Sequence, residues 1–211
     1  PDLGSQVRAR DPYAGPLIRR DRGGVESDGR WIASSTHGGR LYLWNAASGE
    51  TVATWLAHTA DPGIIRGLWH PDSRRLISPG SRKDRGLKRW DMQEKKLLWE
   101  LPNTIEGNLL RFSWNPDGSK LAVSGFDFPF TLLNGSDGSK LAEYPFPWKD
   151  VRWSPDGQWI AGITATRLQI WDVRQEKMRA DWQADDIDLQ SIAWSADSRH
   201  VVSGGEDFCI R

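Results

Sequence analysis

The sequence predicts an all-β chain built from repeated four-stranded units. Three observations lead there: a turn phrase that returns five times, a tryptophan-bearing strand that follows it, and a third aromatic that closes each unit. The phrase reads Val25-Glu26-Ser27-Asp28-Gly29, Trp69-His70-Pro71-Asp72-Ser73, Trp114-Asn115-Pro116-Asp117-Gly118, Trp153-Ser154-Pro155-Asp156-Gly157 and Trp194-Ser195-Ala196-Asp197-Ser198. Its aspartates stand at 28, 72, 117, 156 and 197, in steps of 44, 45, 39 and 41 residues. A period near forty is the mark of a propeller or a solenoid. Such architectures present surfaces to partners more often than they carry chemistry in the repeat.

Each phrase is a turn with a mechanism. Pro presets φ, Asp bonds back to its own backbone, and Gly tolerates positive φ. The flanks alternate apolar and polar, as in Leu109-Leu110-Arg111-Phe112-Ser113-Trp114 before and Lys120-Leu121-Ala122-Val123-Ser124 after. That pattern is strand, turn, strand. The first copy is the weakest, because Arg19-Arg20-Asp21-Arg22-Gly23-Gly24 could not make a buried strand.

The second phrase is Leu41-Tyr42-Leu43-Trp44-Asn45, matched by Leu87-Lys88-Arg89-Trp90-Asp91 and Leu168-Gln169-Ile170-Trp171-Asp172. Thr131-Leu132-Leu133-Asn134 is a degenerate copy with Leu133 in the Trp slot, and Phe208-Cys209-Ile210-Arg211 reads as the start of a fifth. Trp55, Trp99, Tyr144 and Trp182 then close the units, 11, 9, 11 and 11 residues after the preceding Trp or Leu.

Phrase, order and spacing together resemble the WD-repeat (WD40) β-propeller family, from about Gly29 to Arg211. The loose repeats are similar to those of bacterial propellers fused to kinases, proteases or signalling ATPases. The resemblance implies an incomplete propeller of about four and a half blades, an open ring whose further blades lie outside this fragment. Expected boundaries are an irregular leader or blade remnant at 1–26, a partial blade at 27–57, blades at 58–101, 102–145 and 146–184, and a partial blade at 185–211. The family also carries a His, Ser or Thr, Asp and Trp tetrad in each good blade. On this chain the resemblance puts that tetrad at His58, Ser78, Asp84 and Trp90. It is broken elsewhere: Gly38 and Ala165 take the Asp slot and Leu133 the Trp slot.

Composition narrows the function. The 211 residues carry 28 basic and 28 acidic side chains, so no nucleic-acid surface or acidic tail is implied. Thirteen Trp point to a core of aromatics between short strands. Cys209 is the only cysteine and sits in a strand slot, which favours a small buried residue over a reactive thiol. No apolar run is long enough to span a bilayer, so no membrane partner is expected. His37, His58, His70 and His200 fit no metal spacing, and no nucleophile elbow, P-loop or Rossmann fingerprint occurs. The expectation is therefore no catalytic residue, no cofactor and no metal.

Two candidate partner sites stand out. Arg82, Lys83, Arg85, Lys88 and Arg89 cluster within eight residues. A loop of this kind binds phosphate or an acidic partner, or is simply solvated and balanced by Asp84 and Asp91. Arg89 stands where the other copies have Leu43, Leu132 and Ile170, which invites a buried ion pair or a poorly covered strand. The second candidate is aromatic. Phe126-Asp127-Phe128-Pro129-Phe130 and Tyr144-Pro145-Phe146-Pro147-Trp148 are two Pro-stiffened loops that the family topology opens on one face. Phe126, Phe128 and Phe146 would then form a partner patch with Arg82 and Lys83 at its rim. The competing reading makes Phe130, Tyr144 and Trp148 blade core, filling space left by Leu133.

The expected function is a non-catalytic scaffold holding a protein or peptide on the top face, in the cytoplasm, with the sensor module of a larger signalling protein as its nearest variant. The alternative is a propeller attached to a hydrolase of the TolB-like or prolyl-peptidase-like kind, which shares the aromatic-Ser-Pro-Asp-Gly turn.

Overall fold

The computed structural model describes residues 24–25, 28–36, 38–58, 67–80, 86–102, 111–125, 128–183, 188–206 and 210, with the backbone alone at 24, 25 and 128. All regular structure among these residues is strand. The first sheet holds β1 (Gly24–Val25), β2 (Trp31–Ser35), β3 (Arg40–Asn45) and β4 (Thr51–Leu56) in chain order. The second holds β5 (Leu68–Trp69), β6 (Arg75–Pro79), β7 (Leu87–Asp91) and β8 (Lys96–Leu101). The third holds β9 (Arg111–Trp114), β10 (Lys120–Gly125), β11 (Phe128–Asn134) and β12 (Lys140–Tyr144). The fourth holds β13 (Asp150–Trp153), β14 (Trp159–Ile163), β15 (Arg167–Asp172) and β16 (Lys177–Gln183). The fifth pairs β17 (Leu189–Trp194) with β18 (Val201–Gly205), and an isolated bridge from Gly204 to Ile210 opens a third strand. The result is an open, propeller-like run of antiparallel sheets.

The first unit departs from the sequence reading. It has an opening strand, and it starts before the boundary placed at residue 27. Gly24 and Val25 pair with Ala33 and Ile32. Two residues of backbone pairing need no apolar pattern, so hydrophobic periodicity could not find them.

The turns follow the chemistry of the phrase. Asp72, Asp117, Asp156 and Asp197 each accept the backbone N–H two residues on, at 3.0, 2.7, 3.0 and 3.0 Å. The next position takes positive φ in all five copies, as glycine at 29, 118 and 157 and as serine at 73 and 198. The residue after each strand-end Trp or Leu does a second turn job. Asn45, Asp91, Asn134 and Asp172 each accept a backbone N–H two residues on. The aspartate of Trp-Asp is thus a turn residue.

Strand alternation makes both faces of each inner pair largely apolar, and both are buried in the second, third and fourth sheets, while Ile32 and Trp44 on the outer face of the first are half-buried. Ile32/Trp44, Leu76/Trp90, Leu121/Leu133 and Ile160/Trp171 are cross-strand partners, and so are Ala33/Leu43, Ile77/Arg89, Ala122/Leu132 and Ala161/Ile170. Within a sheet the first set faces one way and the second the other. Four apolar clusters result, each between consecutive sheets. Leu43 and Ala33 meet Leu76 and Trp90; Ile77 and Leu87 meet Leu121 and Leu133. Ala122 and Leu132 meet Ile160 and Trp171; Ala161 and Ile170 meet Ile192 and Leu189. Polar bonds cross the same seams. Trp153 N–H donates to Ser113 Oγ at 2.9 Å, and Trp194 Nε1–H to the Arg152 carbonyl at 3.0 Å.

His70 is the tightest of these crossings. Its buried ring packs edge-on to Trp114 with centroids 4.7 Å apart, and Nε2 bonds the Gly118 carbonyl at 3.0 Å. A Cβ on Gly118 would come within 2.1 Å of that Nε2, whereas one on Gly29 would meet nothing within 4 Å. Both glycines have positive φ, 74° and 70°. Gly29→Ala should therefore cost only backbone strain, about 1–2 kcal/mol. Gly118→Ala should cost more, by about 1–3 kcal/mol of overpacking. Urea unfolding of the two variants beside the parent measures the difference, and equal losses would show that the His70 contact yields freely.

Candidate functional site

Three of the four tetrad positions meet inside the second unit. His58 Nε2 lies 2.9 Å from Ser78 Oγ, and Trp90 Nε1–H donates to the same oxygen at 2.8 Å. His58 and Ser78 are buried at 4% and 0% exposure. Asp84 lies outside the described residues, as do Arg82 and Lys83. The first unit keeps half of the arrangement, with Trp44 Nε1–H donating to Ser34 Oγ at 2.8 Å in a less buried setting.

Register shows how the other units dispense with it. Val123 takes the Ser78 position and Leu133 the Trp90 position, and both join the apolar core between sheets two and three. Hydroxyl and indole donor have gone together, so neither is left unpaired. In the fourth unit the serine position is Gly162. A Cβ there would fall within 1.9 Å of Trp148 Cδ2, so the fully buried Trp148 ring occupies the space. Trp148 Nε1–H instead donates to Gln169 Oε1 at 2.6 Å.

Trp148 belongs to an aromatic stack. Phe130 lies 4.7 Å from it and 5.3 Å from Tyr144; Phe146 lies 5.6 Å from Trp148 and 5.4 Å from Trp171. Phe130 and Trp148 are core at 0% exposure. Phe146 is half-buried and packed against that core, not a ring standing clear of it. Phe126 and the Phe128 side chain lie outside the described residues.

A third site was only half visible in the sequence. Between sheets two and three, at the end where the hairpin turns lie, opens a pocket of about 300 Å³. His70, Arg75 and Arg89 line it from one sheet, and Asp117, Ser119 and Asn134 from the other. Arg89 is 1% exposed, with its guanidinium carbon 5.4 Å from the centre of the Trp114 ring. Its Nε has no hydrogen-bond partner. Burial, and after it the Arg75 charge, lower the Arg89 guanidinium to about 10 against the opposing charge of Asp72, which still leaves it cationic at neutral pH. The sequence signal was Arg89 in a register of Leu43, Leu132 and Ile170; that no ion pair reaches it among the described residues needed coordinates.

Electrostatics in this corner are otherwise settled. Asp72 is raised by burial, but the Arg74 N–H and the Arg75 guanidinium outweigh that and hold its carboxyl at about 2. Burial pulls the His70 imidazole below its usual value, against the Gly118 carbonyl and Asp72. Among the described residues no group of three or more His, Cys, Asp or Glu is placed to hold a metal ion.

The family model of the WD domain, G-beta repeat, matches residues 183–211. Together with the succession of four-stranded sheets, that match fits a WD40-type repeat protein.

Ser78→Ala should leave a buried imidazole nitrogen and a buried indole N–H without their shared partner, at about 1–3 kcal/mol for each group. Ser34→Ala, with one less buried donor, should cost less. Chemical denaturation of both variants tests the order. His70 adds a pH dependence. Its folded-state pKa lies below the ordinary imidazole value of 6.5, so its contribution is complete above that pH and is lost as pH falls. The unfolding midpoint should drop from about pH 7 to about pH 5, and more steeply in the parent than in His70→Asn. Parallel curves would show that the imidazole titrates normally.

Proposed function

We propose that this WD40-type repeat protein is a non-catalytic interaction scaffold, holding a protein or peptide partner on the end of the sheets where the links between units emerge. One repeated observation carries the reading. At that end the backbone in or beside the loop between a unit's second and third strands is bonded to the link between units or to the strand that the link enters. His58 N–H donates to the Gly39 carbonyl at 3.1 Å, Phe130 N–H to the Phe146 carbonyl at 3.0 Å, and Leu189 N–H to the Ala165 carbonyl at 2.6 Å. Side chains from two loops are thus displayed together on backbone already held in place. A surface of that kind loses little ordering entropy on binding, and Pro129, Pro145 and Pro147 lower the loss further.

The partner surface in this reading comprises Phe126, Phe128 and the outer part of Phe146, with Arg82 and Lys83 at the rim. A balanced net charge favours protein over nucleic acid. The more specific form of the proposal is a cytoplasmic sensor module within a larger signalling protein.

Cross-linking of the intact chain followed by mass spectrometry identifies the partner, and its affinity is then measured for variants. Phe126→Ala/Phe128→Ala should bind about tenfold more weakly or worse, the loss of one or two aromatic anchors, with an unchanged circular dichroism spectrum. Arg82→Glu/Lys83→Glu should chiefly slow association. Undiminished binding by both variants would move the partner to another surface.

A further inference from the structure

We propose that the pocket between the second and third sheets receives a single carboxylate, an aspartate or glutamate side chain of a peptide, held by Arg89. This site lies at the hairpin-turn end and stands independently of the loop-end surface proposed above.

The argument begins with a charge out of place. Arg89 pairs with Ile77 across the strands, where the equivalent pairs are Ala33/Leu43, Ala122/Leu132 and Ala161/Ile170. Three sheets fill this position with an aliphatic chain and one fills it with a cation that is 1% exposed. Its Nε is buried without a partner, and among the described residues no hydrogen bond or ion pair to Arg89 occurs. Buried arginines elsewhere are normally matched by carboxylates.

The neighbouring acids do not make the match: neither Asp72 nor Asp117 forms an ion pair with Arg89, and each is engaged in its own turn, Asp117 through Oδ1. Asp72 accepts from the Arg74 and Arg75 N–H groups and from Arg75 Nε. Asp117 accepts from Asn115 Nδ2 and from the Ser119 N–H. What remains in the pocket is donor-rich. Asn134 Oδ1 is used by the Ser136 N–H and hydroxyl, and its Nδ2 has no partner among the described residues. The Trp114 ring beneath the guanidinium leaves the planar fork's edge as the part free to bind.

Charge and size select the ligand. A guanidinium fork suits carboxylate and phosphate geometry alike. Asp72 and Asp117 flank the site, so a phosphate dianion meets twice the repulsion that a carboxylate meets. With Arg75 held by Asp72, one cation is available, enough for one negative charge. A volume of about 300 Å³ exceeds a lone inorganic ion and accommodates an acidic side chain with its flanking backbone.

The test is a titration of the intact chain, isotope-labelled, followed by amide chemical shifts at constant ionic strength. The probes are a capped Gly-Glu-Gly peptide, its Gly-Gln-Gly counterpart, acetate and inorganic phosphate. The glutamate peptide and acetate should give saturable shifts centred on Ser119, Asn134 and Ser136, and the glutamine peptide none. Arg89→Leu should stay folded, with an unfolding midpoint equal to or above the parent's, and lose affinity about tenfold or more, as when one charge-assisted bond is removed. Arg89→Lys should retain a weaker response. Absence of saturable shifts in the parent, equal shifts from the glutamine peptide, or an Arg89→Leu variant that still binds would each overturn the proposal. Phosphate binding more tightly than acetate would overturn the carboxylate assignment. If Arg89→Leu fails to fold, the paired peptides on the parent chain still decide.

Discussion

Everything in this fold depends on burying both faces of each sheet against its neighbours. A four-stranded sheet of this size cannot be stable by itself, since alternation puts apolar residues on both sides. Stacking solves this by making the unit of stability the seam between two sheets. The seams are built from unlike halves. One face offers Ile32, Leu76, Leu121 and Ile160 beside Trp44, Trp90, Leu133 and Trp171; the opposite face offers Ala33, Ala122 and Ala161 beside Leu43, Leu132 and Ile170. The alanines leave room for the large rings of the next sheet, so wide faces pack on narrow ones.

That constraint ranks the other interactions. The His58, Ser78 and Trp90 cluster satisfies buried polar atoms in the second unit, yet the third and fourth units stack without one. Val123 with Leu133, and Gly162 with Trp148, are paired exchanges that preserve the seam while altering its chemistry. The indole nitrogen of Trp171 then has no hydrogen-bond partner among the described residues, a penalty accepted in return for packing against Tyr144 and Phe146. Polar clusters here tune a geometry that apolar burial has already set.

The same ranking explains what a reader of the sequence could and could not find. Turns and strands were visible because their causes are local: an Asp side chain reaching two residues on, a positive φ, a two-residue alternation. The extra strand Gly24–Val25 was not, because two residues are too few to show a periodic pattern. The loop aromatics supported two readings, since Phe130 and Trp148 as core and Phe146 as its half-buried edge belong to one cluster and differ in depth, which no sequence pattern records. His70 read as a turn residue, for its bond to Gly118 spans 48 positions that no pattern links. Three of the tetrad positions come together, and the fourth, Asp84, falls outside the described residues.

Arg89 breaks the seam rule with a buried charge that no ion pair among the described residues offsets. In the same register an aliphatic side chain would gain burial with no desolvation penalty, and buried charges replaced by hydrophobes often raise stability. The Trp114 ring offsets part of the penalty, about 0.5–2 kcal/mol. Removing a guanidinium from water costs several kcal/mol even after relaxation. Water in the pocket can supply hydrogen-bond acceptors, but it brings no net negative charge, and the Arg75 and Asp72 charges nearby act on Arg89 in opposite senses. Packing and water therefore leave the guanidinium without a directly bonded anion. Departures from local consistency of this kind concentrate at functional sites, which is why the proposed carboxylate is placed here.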